Sequence, residues 1–215
     1  MRKVTILFDL DGTLIDSTEA ILESFSVALG CFGSAMAEED AVKMLIGHPL
    51  DVMFQRLGVE PGLVEEHVGA YKEHYRKISR EKTVLLPGAA EAVERACEFA
   101  RAGVVTTKTG RYSKELLEHF GLMHRFEVLI GREDVVNPKP HPEPVYRALE
   151  ALGADAEKTW MIGDTLLDIA SAEAAGVTPF ALTCGYGSEK ELAAACRYLA
   201  PDALSAVSRI RTETL

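Results

Sequence analysis

The chain has 215 residues, 47% of them hydrophobic, with a formal net charge of −10. That length and apolar content support one sizeable core, or one core with a smaller insert. The acidity disfavours nucleic acid and anionic membranes as partners; the scattered Cys31, Cys97, Cys184 and Cys196 have no CxxC spacing and suit reduced thiols; and no stretch reaches the roughly 20 apolar residues of a membrane span.

Arg2-Lys3 and the short run after them are too brief for a signal peptide, and Asp9 interrupts them, so the expected location is cytoplasmic. Val4 to Phe8 reads as a buried strand. It ends at Asp9-Leu10-Asp11-Gly12, two carboxylates on one side of an extended chain, followed by a turn residue. Such a pair is expensive to desolvate. It is either a solvated acidic turn or a metal-assisted catalytic centre.

Residues 16–83 show no strand pattern. Helices are expected from Ser17 or Thr18 to about Gly30, Glu38–Leu45, Leu50–Leu57 and Leu63–Ile78, with His67 and His74 on a solvated face. His48 falls in a Gly/Pro break of this block, where a loop could face a substrate, and Lys43 and Arg56 are further candidates to contact it. From Leu85-Leu86-Pro87-Gly88 the rhythm changes to helix–strand alternation: helix 89–101, strand 103–107, helix 113–120 capped by Ser113, strand 127–130, helix 142–152, strand 159–162, helix 165–175, strand 178–182, and a last helix 188–198. Alternation of this kind predicts an α/β fold, a Rossmann-like parallel sheet with helices on both faces. The helical block is then an insert: core 1–15 and 85–215, helical domain 16–84.

Ligands of open α/β sheets bind beyond the carboxyl ends of the strands. Asp9, Asp11, Thr106-Thr107-Lys108 and Gly163-Asp164 all fall there. Thr106 and Thr107 are either ordinary strand residues or donors to a phosphate oxygen. Lys139, in Asn137-Pro138-Lys139-Pro140-His141-Pro142, is held extended by its prolines and could fix Asp9 and neutralise a phosphoryl group. Asp164 is a natural third oxygen donor for a hard cation such as Mg²⁺. Asp168 reads equally as the acid of a Thr165-x-x-Asp168 capping box or as a supporting partner behind the ligands. Gly185-Tyr186-Gly187-Ser188 reads as a loop before a helix, not a dinucleotide loop. The histidines show no HxH or HExxH spacing, which disfavours a transition-metal site.

In order and spacing, Asp9-Leu10-Asp11-Gly12-Thr13, Thr106, Lys139 and Gly163-Asp164-x-x-x-Asp168 resemble the four motifs of the haloacid dehalogenase-like phosphatases, over nearly the whole chain. A helical cap directly after the first motif resembles the phosphoglycolate phosphatase and β-phosphoglucomutase subfamily. Gly47-His48-Pro49-Leu50, Leu86-Pro87-Gly88 and Gly185-Tyr186-Gly187-Ser188 look closest to phosphoglycolate phosphatases and related pyrophosphatases. Thr107 departs from the pattern, standing where those relatives often carry Asn. The resemblance implies Asp9 as nucleophile, Asp11 as acid and base, Thr106, Thr107, Lys139 and His48 on the substrate, and Mg²⁺ on Asp9, Asp164 and the backbone carbonyl of Asp11. The implied substrate is a small phosphorylated metabolite, 2-phosphoglycolate first, with pyrophosphate or a nucleotide as alternatives. Asp11 argues against a dehalogenase and, although Lys43 is the nearest candidate for a cap lysine, against a phosphonate hydrolase. A phosphomutase shares the core motifs. A non-catalytic binding protein would be expected to have lost an acid or the lysine.

Overall fold

The computed structural model describes residues 4–214; Arg2 and Lys3, on which the reading of the N-terminus rested, lie outside them. The chain divides into two compact units, 1–16 with 85–215, and 17–84.

The first unit is built on a six-stranded sheet of order β5-β4-β1-β6-β7-β8. Its strands are β1 Val4–Phe8, β4 Ala100–Val105, β5 Val128–Ile130, β6 Thr159–Gly163, β7 Thr178–Leu182 and β8 Leu199–Ala200. Every neighbouring pair is parallel. Alternation decides which side chain faces which layer. Ile6 and Phe8 of β1 pack with Val104, Ile162 and Phe180 under α5 Ala89–Phe99, α6 Gly110–His119 and α10 Ala203–Thr214. Leu7 points the other way, with Val105 and Met161, under α7 Glu143–Leu152 and α8 Leu166–Ala174. Burial on both faces is the state in which parallel strands are stable. Two short strands, β2 Ile15–Asp16 and β3 Val84–Leu85, lie where the chain leaves this unit and returns, and inside it Leu86 N–H donates to the Leu14 carbonyl at 3.0 Å.

The second unit is helical: α1 Thr18–Cys31, α2 Glu39–Lys43, α3 Leu50–Arg56 and α4 Val64–Ile78. Its core is aromatic, with Phe25 and Phe54 ring centroids 4.5 Å apart and Tyr71 stacked on Tyr75 at 5.6 Å.

The structure corrects several expectations. His67 is fully buried: its Nδ1 donates to the Leu63 carbonyl at 2.7 Å, and its Nε2 lies 2.9 Å from Ser34 Oγ. It belongs to the stripe Val64, His67, Tyr71, Tyr75, which recurs at helical spacing and outweighs the charge of the rest of α4. His74, beside that stripe, lies 3.0 Å from Glu23 Oε1 and is not simply solvated. Ala100 and Arg101 are strand, not helix, and Thr106 and Thr107 lie just past the strand end. Helix α6 starts at Gly110, not Ser113, because Glu133 from a distant loop accepts from Gly110 N at 2.8 Å and Arg111 N at 3.3 Å. The helix expected over 188–198 stops at Ala195 as α9 Glu189–Ala195. Strand β8 and helix α10 then follow, the latter buried along Ala203, Ala206, Val207 and Ile210, with Asp202 Oδ1 accepting from Ser205 N at 2.7 Å.

Candidate active site

The carboxyl ends of β1, β4 and β6 converge because these three strands are adjacent in the sheet. Phe8 runs into Asp9, Val105 into Thr106 and Gly163 into Asp164. Asp9, Asp164, Asp168, Lys139 and Thr106 are all buried.

Lys139 is the hub. Its Nζ lies 2.9 Å from Asp9 Oδ1 and 2.5 Å from Asp168 Oδ1, and donates to the Val105 carbonyl at 3.2 Å. The contact with Asp9 is an ion pair without hydrogen-bond alignment, so Asp9 Oδ1 is buried with no hydrogen-bond donor. Burial pushes the Asp9 carboxyl up to about 7, against the pull of Lys139. Burial raises Asp164 well above the carboxylate range, and the charges of Asp168 and Asp9 add to it. Burial alone would lower the Lys139 ammonium, but Asp168 and Asp9 outweigh it and hold it above its ordinary value.

Asp164 Oδ1 accepts from Thr13 Oγ1 at 2.9 Å and Oδ2 from Tyr186 N at 2.8 Å. Asp168 is saturated: Oδ1 takes Lys139, while Oδ2 takes Thr165 N at 3.0 Å and Thr165 Oγ1 at 2.7 Å. It is therefore both helix cap and lysine partner. Asp11 is turned to Lys108, whose Nζ lies 3.0 and 3.1 Å from its two carboxylate oxygens. Thr106 Oγ1 accepts from Lys108 N at 3.2 Å, which leaves its hydroxyl hydrogen to donate. Thr107 is half-buried in the same loop.

The donor set fits a hard divalent cation. Asp9, Asp164 and Asp168 offer ligand oxygens within 4.8 Å of one another. One ammonium against three buried carboxylates leaves excess negative charge, and Asp9 Oδ1 lacks a donor. Oxygen-only ligation is the chemistry of Mg²⁺-type ions rather than of softer metals. Asp168 takes three donors, Lys139 among them, whereas each Asp164 oxygen takes one and Asp9 Oδ1 takes none, so Asp9 and Asp164 are the side chains with more lone-pair capacity to spare.

His48 lies in the helical unit, where its Nε2 accepts from Arg56 Nη1 at 3.0 Å. Partial burial and the Arg56 charge hold its imidazolium below the usual range. Lys43 pairs with Glu39 at 3.4 Å and Asp40 at 3.5 Å on its own helix.

Three contributors were not singled out from sequence. In sequence Lys108 stands only as part of a strand end, and Thr13 and Tyr186 only as members of longer motifs, without a role of their own. Their signals were weak. Gly12, at φ +82°, lies so near Asp164 that a Cβ there would sit 2.3 Å from Oδ2. Glycine at 185 likewise permits close approach, which gives Gly185-Tyr186 a place beside Asp164 rather than in a mere linking loop.

Buried carboxylates and one lysine gathered at three adjacent strand ends define a hydrolase site of a particular architecture. Residues 6–182 match the family model of the haloacid dehalogenase-like hydrolases. The chain belongs to that family. It is 38% identical over 175 residues to Pyrophosphatase PpaX of Halalkalibacterium halodurans, covering 80% of each chain. It is 34% identical over 195 residues to the phosphoglycolate phosphatase of Yersinia pseudotuberculosis, covering 87% of this chain and 84% of that one. Among solved structures, a haloacid dehalogenase-like family hydrolase from Streptococcus pneumoniae superposes with a TM-score of 0.86 at 25% identity, over 97% of this chain and 99% of the other. No described helix is long and apolar enough to cross a membrane.

Proposed function

We propose that this enzyme is a Mg²⁺-dependent phosphatase that hydrolyses a small phosphorylated metabolite in the cytoplasm through an aspartyl-phosphate. The observation that carries the reading is Lys139 clamped between Asp9 and Asp168, 2.9 and 2.5 Å away, at the mouth of the sheet. It holds Asp9 in place and leaves its carboxylate beside a positive charge, where an incoming phosphoryl group is neutralised.

In this reading Asp9 attacks phosphorus, the bond to the leaving oxygen breaks with its electron pair, and Asp11 supplies that oxygen with a proton. Asp11 then takes a proton from the water that splits the aspartyl-phosphate and returns Asp9. Thr106 and Lys139 hold the other phosphoryl oxygens, with Thr107 in the same loop. Asp9, Asp164 and the Asp11 backbone carbonyl would hold Mg²⁺. When bound, the ion draws negative charge off the phosphoryl oxygens and balances the carboxylates.

The substrate placed first is 2-phosphoglycolate, supported by the likeness to phosphoglycolate phosphatases. Pyrophosphate is the second reading, favoured by the 38% identity to a pyrophosphatase. A phosphate-release screen over phosphometabolites, with Mg²⁺ and with EDTA, tests both. Mg²⁺-dependent release from one of them, abolished by Asp9→Asn, is expected. Isomerised sugar phosphate without net release would assign a mutase instead, and silence on every substrate would remove the phosphatase reading.

A further inference from the structure

Lys139 is fully engaged by Asp9 and Asp168, yet the site holds a second ammonium. Lys108 Nζ reaches both oxygens of Asp11, at 3.0 and 3.1 Å, and the two side chains are only 9% and 12% exposed. One donor group bridging both oxygens fixes a carboxylate in rotation as well as in position, which a single hydrogen bond does not. The backbone of Lys108 is itself held: its N–H donates to Thr106 Oγ1 at 3.2 Å, and its carbonyl accepts from Arg132 N at 3.0 Å. Two residues after Lys108, Gly110 N donates to Glu133 at 2.8 Å, and Arg111 N donates to it at 3.3 Å, so the 131–134 segment braces the loop that carries the lysine. Gly131 allows this close approach, since a Cβ there would lie 2.4 Å from Gly110 N. A flexible surface lysine would have none of these supports.

We infer that Lys108 is a positioning residue for Asp11, fixing its carboxylate for proton transfer to the leaving oxygen and from water. The inference rests on the phosphatase reading above. In the first half-reaction the Asp9–phosphorus bond forms and the bond from phosphorus to the leaving oxygen breaks. The leaving oxygen keeps the electron pair and takes the proton of Asp11. Asp11 is then a carboxylate, and the fork from Lys108 is the arrangement that receives it. Without Lys108 each transfer to an alkoxide would leave a poorly held, largely buried carboxylate. A leaving group that departs comfortably as an anion, such as p-nitrophenolate, needs no such transfer.

The test compares an alkyl phosphate with p-nitrophenyl phosphate in wild-type, Lys108→Met and Lys108→Arg enzymes. General acid catalysis contributes about 10²–10⁴-fold. Lys108→Met is therefore expected to lower kcat/KM on the alkyl ester by about 100-fold, and on the aryl ester by much less. On the aryl ester kcat should fall, with a burst of p-nitrophenolate, because hydrolysis of the aspartyl-phosphate also uses Asp11. Lys108→Arg, which can restore a two-pronged contact, should recover part of the loss on the alkyl ester. Equal losses in kcat/KM on both esters, or no loss on either, would overturn the inference while leaving the phosphatase reading intact. A wild-type enzyme silent on both esters and on the whole phosphometabolite panel would overturn the phosphatase reading and the inference with it. Lys108→Gln, similar in length and uncharged, takes the place of the Met variant if thermal melting shows that variant unfolded.

Discussion

Lys139→Met removes the ammonium from among three buried carboxylates. The lysine side chain is 2% exposed, and those of Asp9 and Asp168 are 5% and 1% exposed, so water cannot take over its role. Breaking a buried ion pair by deleting one partner costs about 3–5 kcal/mol, since it strands the other charge. For a chain of this size 1 kcal/mol moves the melting temperature by about 2–4 °C. A fall of roughly 6–20 °C is therefore expected in EDTA at pH 8. The sign of the pH dependence follows from the two groups. The Lys139 ammonium is held above its ordinary value, so its contribution is complete at any pH below the ordinary value and is lost as pH rises from there through the raised one. The Asp9 carboxyl, pushed up to about 7 by burial, takes up a proton as pH falls through that region, and a neutral Asp9 no longer needs the lysine. The deficit of the variant should thus shrink between pH 8 and pH 5, and Mg²⁺ at pH 8 should restore part of it. Melting curves of both proteins at the two pH values, in EDTA and in Mg²⁺, measure this. A variant as stable as wild type at pH 8 in EDTA would refute the view of Lys139 as the counter-ion of the cluster.

The remaining expectations concern the metal, one close approach and one thiol. Mg²⁺ should raise the melting temperature of the wild type more at pH 8 than at pH 5, because below about 7 the raised Asp9 holds a proton that the cation must displace; an equal shift at both values would count against Asp9 as a ligand. Gly185→Ala would put a Cβ 2.1 Å from Asp164 Oδ2, so Asp164 must move. A cost of about 1–3 kcal/mol and a raised Mg²⁺ requirement for phosphate release are expected, and an unaltered Mg²⁺ titration would contradict that geometry. Burial and the nearby Asp164 charge push the Cys184 thiol up to about 11, so mass-spectrometric mapping should find it alkylated slowly at pH 8 despite its exposure.

The core fold was legible because its signals are local. Val4 to Phe8, the Thr178–Leu182 strand and the helices between them announce themselves by apolar runs, caps and glycines, and parallel alternation dictates one sheet edge for the ligand. The features that depart from the sequence pattern depend on contacts distant in sequence. Nothing near Ser113 reveals that Glu133 starts the helix at Gly110. The burial of His67 depends on Phe32 and Phe54, whose rings pack 4.6 and 5.5 Å from it. Lys108 is an ordinary residue in sequence, and becomes part of the site only because β4 lies beside β1 and brings it to Asp11. Helix α10 is a different kind of miss: its buried stripe and its Asp202 cap were both present in the sequence.

Asp168 shows why cap and site partner were false alternatives. A carboxylate has two oxygens, and here they are divided. Oδ2 takes the Thr165 amide and hydroxyl and starts α8, as the Thr-x-x-Asp spacing implies. Oδ1 takes Lys139. The start of the helix and the position of the lysine are therefore fixed by one side chain, and the lysine in turn fixes Asp9. Gly163 makes room for this, since a Cβ there would lie 2.3 Å from Asp168 Cβ and Cγ. Asp168→Asn should then separate the two functions. An amide can still accept from Thr165 through its oxygen, so the helix cap survives in part. It no longer offers a charge to Lys139, whose remaining ionic partner is Asp9. The expected result is a modest loss of stability with a much larger loss of turnover, measured by melting and phosphate release on the same preparation. A variant that loses stability as severely as Lys139→Met while keeping its turnover would show that Asp168 serves the fold alone.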